Sequence, residues 1–174
     1  MARMAIISSL EKNQVADIVK EIYKEYEEEG KKVPEWIKVM AHRPEILKEF
    51  RELFNVIMGT GEIEPLLKWK IAYCVSETLR CPFCVDVTTK MLKKLGASED
   101  IVKKVKKIKD LPGKEKEILQ LVKEVTSKAQ VCTPELFEKM KKDFTEPEIV
   151  EIVSIIGLFN YINRFNNTFC ILPE

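Results

Sequence analysis

Apolar residues recur along most of the chain at the three- and four-residue spacing of one helix face. Val15, Ile18, Val19, Ile22 and Tyr23 make the first such stripe, with Glu and Lys filling the opposite side. No run alternates apolar and polar between hairpin turns, so strands are not expected. Helix starts are marked by chemistry as well as by period. "VPEWIKVMAH" and "RPEILKEFRELFNVIMG" each put proline and then glutamate at a helix start. There a missing N–H costs little and negative charge meets the positive end of the dipole. "CTPELFEKM" offers Thr133 as an N-cap before Pro134, and Thr145 with Glu148 has capping-box spacing. Breaks fall at Gly30, Gly59 to Gly61, Gly96 and Pro112-Gly113. The expectation is an all-α fold of roughly eight or nine helices. One domain would span residues 1–174.

Residues 75–105 and 125–153 can be laid on each other with small gaps. Each runs helix, cysteine, an amphipathic helix ending in methionine and lysines, a polar turn, then repeated Ile-Val. Two helical hairpins built alike, in a pseudo-twofold arrangement, would give this pattern. So would chance in a chain rich in Lys and Val. In the second copy Cys132 has no paired cysteine.

Composition narrows the picture further. A length of 174 residues with 45% hydrophobic content suits a single core. A formal net charge of +1, with both signs interspersed, argues against a nucleic-acid partner. The most basic stretch, "KKVKKIKD" at 103–110, reads as the wet face of an amphipathic helix. The longest uncharged run, "IVSIIGLFNYIN" at 152–163, is well short of the ~20 residues of a membrane span. "MARMAIISSL" has too short an apolar core for a signal peptide. A soluble, cytoplasmic protein is therefore expected, and the greasy helix at 149–162 points to self-association.

The five cysteines, Cys74, Cys81, Cys84, Cys132 and Cys170, lack disulfide-framework spacing and would rest as thiols in a reducing compartment. Cys74, Cys132 and Cys170 sit in apolar helical context and read as small core residues. "NNT" at 166–168 fits a glycosylation acceptor, which means nothing without secretion.

Cys81 and Cys84 are different. They lie two residues apart in Arg80-Cys81-Pro82-Phe83-Cys84. One helix is expected from about Glu64 to Thr78, and the next from near Pro82 through Met91 and Leu95. Cys81 then stands at a helix N-terminus, where free N–H groups and the dipole favour a thiolate. A thiol so placed can drop from ~8.5 into the range ~3.5–7.5. Arg80 adds positive charge, and Cys84 lies one turn deeper, within reach of a disulfide. On this reading Cys81 is the exposed, thiolate-prone sulfur and Cys84 its partner. A metal would need two more ligands. There is no second C-x-x-C, His42 is the single histidine and remote in sequence, and Asp86 is too near and wrongly phased. No metal or cofactor is called for. Two buried cysteines serving as small hydrophobes remain the plain alternative.

The segment 65–98, "PLLKWKIAYCVSETLRCPFCVDVTTKMLKKLGAS", resembles the AhpD-like, carboxymuconolactone decarboxylase superfamily. The shared features are an apolar helix ending in "VS", a polar turn, C-x-[YF]-C and a helix ending in "LG". The tail 144–174 resembles the peroxidase-related branch, whose members end in an "N-x-x-N-R" helix before a short "PE" tail. Residues 40–65, "MAHRPEILKEFRELFNVIMGTGEIEP", resemble the approach to its C-x-x-C helix pair. The likeness runs from about Pro34 onward, with the C-x-x-C core at about 43–110.

The resemblance implies an AhpD-like helical bundle assembled as a homo-oligomer, a trimer or hexamer. It also implies a peroxidase or disulfide reductase that acts on a hydroperoxide or disulfide substrate through Cys81 and Cys84. An external dithiol would reset the pair. By position Cys84 matches the peroxide-attacking cysteine and Cys81 the resolving one, the reverse of the helix-end argument, so the order stays open. The family's glutamate twelve residues before the first cysteine and histidine four after the second are here Trp69 and Thr88. Neither titrates near neutral pH. Glu77 and His42 are candidate replacements for that proton relay, and Thr88 a candidate positioning hydroxyl. The plainer reading of Glu77 and His42 is as exposed helix-end residues. Asn163 and Arg164 read as structural. The alternative function is a redox-sensing or structural oligomer that kept the fold and lost the Glu/His relay. Lactone decarboxylation, the namesake activity, needs no C-x-x-C and fits less well.

Overall fold

Seven of the eight prolines stand at a helix N-cap or first turn, and the fold is punctuated by them. The computed structural model describes residues 5–108, 110–128 and 134–173, apart from the Leu136 side chain. A short 3-10 turn, Lys12–Gln14, leads into α1 (Asp17–Glu28), α2 (Glu35–Met40) and α3 (Pro44–Met58). There follow α4 (Pro65–Leu79), α5 (Pro82–Lys94) and α6 (Glu99–Lys107). The chain closes with α7 (Gly113–Ser127), α8 (Pro134–Asp143) and α9 (Glu146–Thr168). Among the described residues there is no strand, as the periodicity requires.

The expected caps form. Thr145 N–H donates to Glu148 Oε2 at 2.7 Å, and Glu148 N–H to Thr145 Oγ1 at 3.4 Å, closing the capping box of α9. Gly30 and Gly96 take left-handed φ of 64° and 86° at the ends of α1 and α5. Val15, Val19, Ile22 and Tyr23 are buried, whereas Ile18 is 42% exposed and falls outside the stripe. In the basic run Val105 and Ile108 point into the core, leaving Lys103, Lys106 and Lys107 to solvent. Thr133 and Cys132 lie outside the described residues. The two similar segments follow the same helix order, α4–α5–α6 and α7–α8–α9, with two residues between α4 and α5 and six between α7 and α8.

α4 is the central helix. Lys68 and every residue from Lys70 to Ser76 are buried, and the helix packs against α5, α7 and α9. A helix covered all round needs its charged side chains paired. Lys68, fully buried, donates to Ile57 O at 2.8 Å and Gly59 O at 2.7 Å and pairs with the Glu151 carboxylate of α9. Glu151 Oε2 accepts the N–H groups of Glu62 at 2.7 Å and Ile63 at 3.1 Å. The loop closes so tightly that a Cβ on Gly61 would collide with that carboxylate. Lys70 pairs with Glu115 of α7 at 2.8 Å. At the far end Asn167 Nδ2 of α9 donates to Leu79 O of α4 at 3.0 Å. With starts paired to starts and ends to ends, α4 and α9 run parallel.

Among the described residues no helix is long and apolar enough to cross a membrane. Apolar side chains remain exposed along α3 and α9, among them Leu53, Val56, Val150 and Tyr161.

Candidate active site

The joint between α4 and α5 is set by the main chain. Arg80 adopts the left-handed conformation, φ 52° and ψ 44°. Its N–H donates to Glu77 O and the Cys81 N–H to Ser76 O, both at 3.2 Å, a Schellman closure. A non-glycine residue there costs about 1–2 kcal/mol. The chain then turns at once into α5, and Cys81 becomes its N-cap, its Sγ accepting the Cys84 N–H at 3.3 Å. Both cysteines are free thiols.

Exposure corrects one expectation. Cys81 is fully buried, because the Schellman turn folds it inward under α4, while Arg80 carries the exposure. Cys84, 5% exposed, is the sulfur that reaches a cavity of about 280 Å³. Trp36, Phe50, Phe54, Trp69, Phe83 and Phe159 give the cavity an aromatic lining. The indole of Trp69 sits edge-on to Phe159 at 5.9 Å and adds to the aromatic wall. Arg51 also borders the cavity, but its guanidinium is paired with Glu25 at 2.5 Å.

The two sulfurs divide their labour. A hydrogen bond from the Cys84 thiol, helped by the backbone N–H groups of Cys84 and Phe83, holds the Cys81 thiol below the usual range against its burial. The same bond to Cys81, together with burial and the adjacent Cys81 charge, pushes the Cys84 thiol up. Asn166 opposes that rise: its Nδ2 donates to Cys84 Sγ at 3.3 Å. The arrangement favours a thiolate at 81 hydrogen-bonded by a thiol at 84. Of the two sulfurs, Cys84 is the one that lines the cavity.

Thr88 lines the cavity, but its hydroxyl donates to Cys84 O at 2.7 Å and braces α5. Glu77 is not brought to the sulfurs. Its carboxylate is taken by the Tyr73 hydroxyl at 2.9 Å and Lys106 at 3.1 Å. His42 is exposed, with Nε2 at 2.9 Å from Ser8 O, and stands apart from the cavity. Asn163 Nδ2 donates within α9 to Phe159 O at 2.7 Å, and Arg164 to Asn160 Oδ1 at 3.2 Å, both structural roles. Cys74 is a core residue whose thiol burial pushes up to about 12. Cys170 is half-buried. Among the described residues no three His, Cys, Asp or Glu side chains are grouped to hold a metal ion.

Asn166 is the site residue that the sequence did not announce. The signal was present: Ile152, Ile155, Phe159, Ile162 and Asn166 fall on one buried stripe of α9, so a polar residue there faces inward.

The all-helical bundle has the AhpD-like fold, as the comparisons with solved structures show. An alkylhydroperoxidase AhpD core, peroxidase-related protein from Ralstonia eutropha superposes with a TM-score of 0.89 at 20% identity, covering 100% of this chain and 94% of its own. The debrominase Bmp8 gives 0.82 at 21% identity over 97% and 92%. A protein of unknown function from Agrobacterium tumefaciens, named for AhpD and antioxidant defence, gives 0.71 at 28% identity over 78% and 95%. No protein-family model matches the chain, and no curated protein matches it.

Proposed function

We propose that the protein is a thiol-dependent peroxidase of the AhpD-like type, reducing compact apolar hydroperoxides through Cys81 and Cys84. The carrying observation is geometric: Cys81 Sγ accepts the Cys84 N–H at the start of α5, and Cys84, held by Asn166, lines an aromatic-walled cavity. The peroxidase-related fold neighbours support the same reading.

The pair supplies its own base. Cys84 passes its proton to the Cys81 thiolate, and the new Cys84 thiolate attacks the distal oxygen of ROOH. An S–O bond forms, the O–O bond breaks, and RO⁻ takes the proton from the Cys81 thiol to leave as ROH. The regenerated Cys81 thiolate attacks the Cys84 sulfenic acid, giving the disulfide and hydroxide, which solvent protonates to water. An external dithiol then reduces the disulfide by two exchanges and leaves as its own disulfide. No glutamate or histidine is needed in this sequence, which accounts for Trp69 and Thr88 at the family's relay positions.

A homo-oligomer, as the resemblance implies, would cover the exposed apolar residues of α3 and α9. The test of function is dithiothreitol-dependent consumption of cumene hydroperoxide by wild type, Cys81→Ser and Cys84→Ser. Multiple turnovers by wild type alone support the reading. Consumption that survives in Cys84→Ser ends it and leaves the sensor or structural alternative.

A further inference from the structure

One residue that lines the cavity beside Cys84 carries a polar atom without a partner. Asn166 is fully buried, its Nδ2 is spent on Cys84 Sγ, and its Oδ1 is buried with no hydrogen bond. A buried carbonyl oxygen without a hydrogen bond is destabilising until something supplies a donor. Asn163, one turn earlier, has a similar orphan oxygen but does not line the cavity. Asn166 does. The other polar side chain beside Cys84, Thr88, has its proton committed to Cys84 O.

We propose that Asn166 grips both reactants, its Nδ2–H holding the attacking sulfur of Cys84 and its Oδ1 accepting the O–H of the bound hydroperoxide. The inference rests on the peroxidase reading and deepens it. A carboxamide is planar, so its two ends fix sulfur and peroxide side by side, with the distal oxygen against Cys84 and the apolar R group among the aromatic rings. The N–H end also strengthens as charge moves onto Cys84, so it stabilises the attacking form more than the resting one. The substrate class follows: a neutral compound with one donor at its reacting end and a compact apolar remainder.

The test uses Asn166→Leu, which fills the space without either polar end, and Asn166→Asp, which keeps an acceptor and loses the donor. Two readouts are taken: steady-state reduction of cumene hydroperoxide, and the pH dependence of Cys84 alkylation mapped by mass spectrometry. Asn166→Leu is expected to lose about tenfold or more in kcat/KM, the scale of one charge-assisted hydrogen bond. Its KM should rise and its Cys84 alkylation profile should move to higher pH. Asn166→Asp should move that profile at least as far, since it adds negative charge beside the sulfur, and it decides the matter if the Leu variant fails to fold. Wild-type kcat/KM and an unmoved alkylation profile in a folded variant would overturn the inference. If Cys84→Ser retains activity, the peroxidase reading falls first, and the alkylation profile still judges the contact between Asn166 and sulfur.

Discussion

α9 holds a buried polar group near each end, against α4 at its start and α5 at its finish, and the two are completed differently. At the start, Lys68 finds two carbonyls and a carboxylate, and that carboxylate takes two further N–H groups from the loop. At the end, Asn166, a lining residue of the cavity, satisfies one half of its amide on Cys84 and leaves the buried oxygen without a partner. The first is a closed polar knot in which a buried cation has no bond left to offer. The second is open by one acceptor and two sulfurs.

If that contrast is right, damage at the two ends should fall on different observables. The largest effect is expected from Cys84→Ser, which should lower peroxide turnover by about a thousandfold or more and leave the melting temperature nearly unchanged. Glu151→Gln should do the reverse. It strands the Lys68 cation, at about 3–5 kcal/mol, a drop on the order of 10 °C in thermal melts. Catalysis by the folded fraction should be untouched, and adding Lys68→Met should recover part of the loss. Gly61→Ala, forcing the loop off the same carboxylate, should cost about 1–3 kcal/mol in urea unfolding.

pH separates the ends in the same way. Burial raises the Glu151 carboxyl, but the bond from Lys68 and the N–H groups of Glu62 and Ile63 outweigh it and hold the group below the usual range. A depressed carboxyl adds stability above its unfolded value, about 4.3, and loses it as pH falls through the folded value. The stability gap between wild type and Glu151→Gln should therefore close in acid. At the sulfur end, turnover should rise with pH through one ionisation whose midpoint lies below that of a free thiol, about 8.5, following Cys81. Smallest of all, Thr88→Val should change turnover by less than about twofold, because its hydroxyl serves the helix rather than the sulfur.

The helices were legible because their signals are local. Proline at first turns, the Thr145–Glu148 box and the glycines after α1 and α5 each act within a few residues, so α4 and α5 fall within one residue of the sequence expectation. The C-x-x-C was legible for the same reason. Its orientation was not, because inward or outward depends on the left-handed turn at Arg80, which no residue type there advertises. Asn166 was missed for a further reason: it meets Cys84 across 82 residues of chain. Glu77 looked available in sequence, but a tyrosine one turn back and a lysine on α6 had already engaged it.

The Schellman turn has a practical consequence. Main-chain bonds, not a sulfur, seat residue 81 where it is, and serine caps a helix readily. A Cys81→Ser chain should therefore keep its shape while losing both the base and the means to close a disulfide, so that Cys84 oxidises slowly but its sulfenic acid, once formed, persists to be trapped by a carbon nucleophile such as dimedone. The bend that hides one sulfur thus makes the other a clean reporter of what enters the chamber.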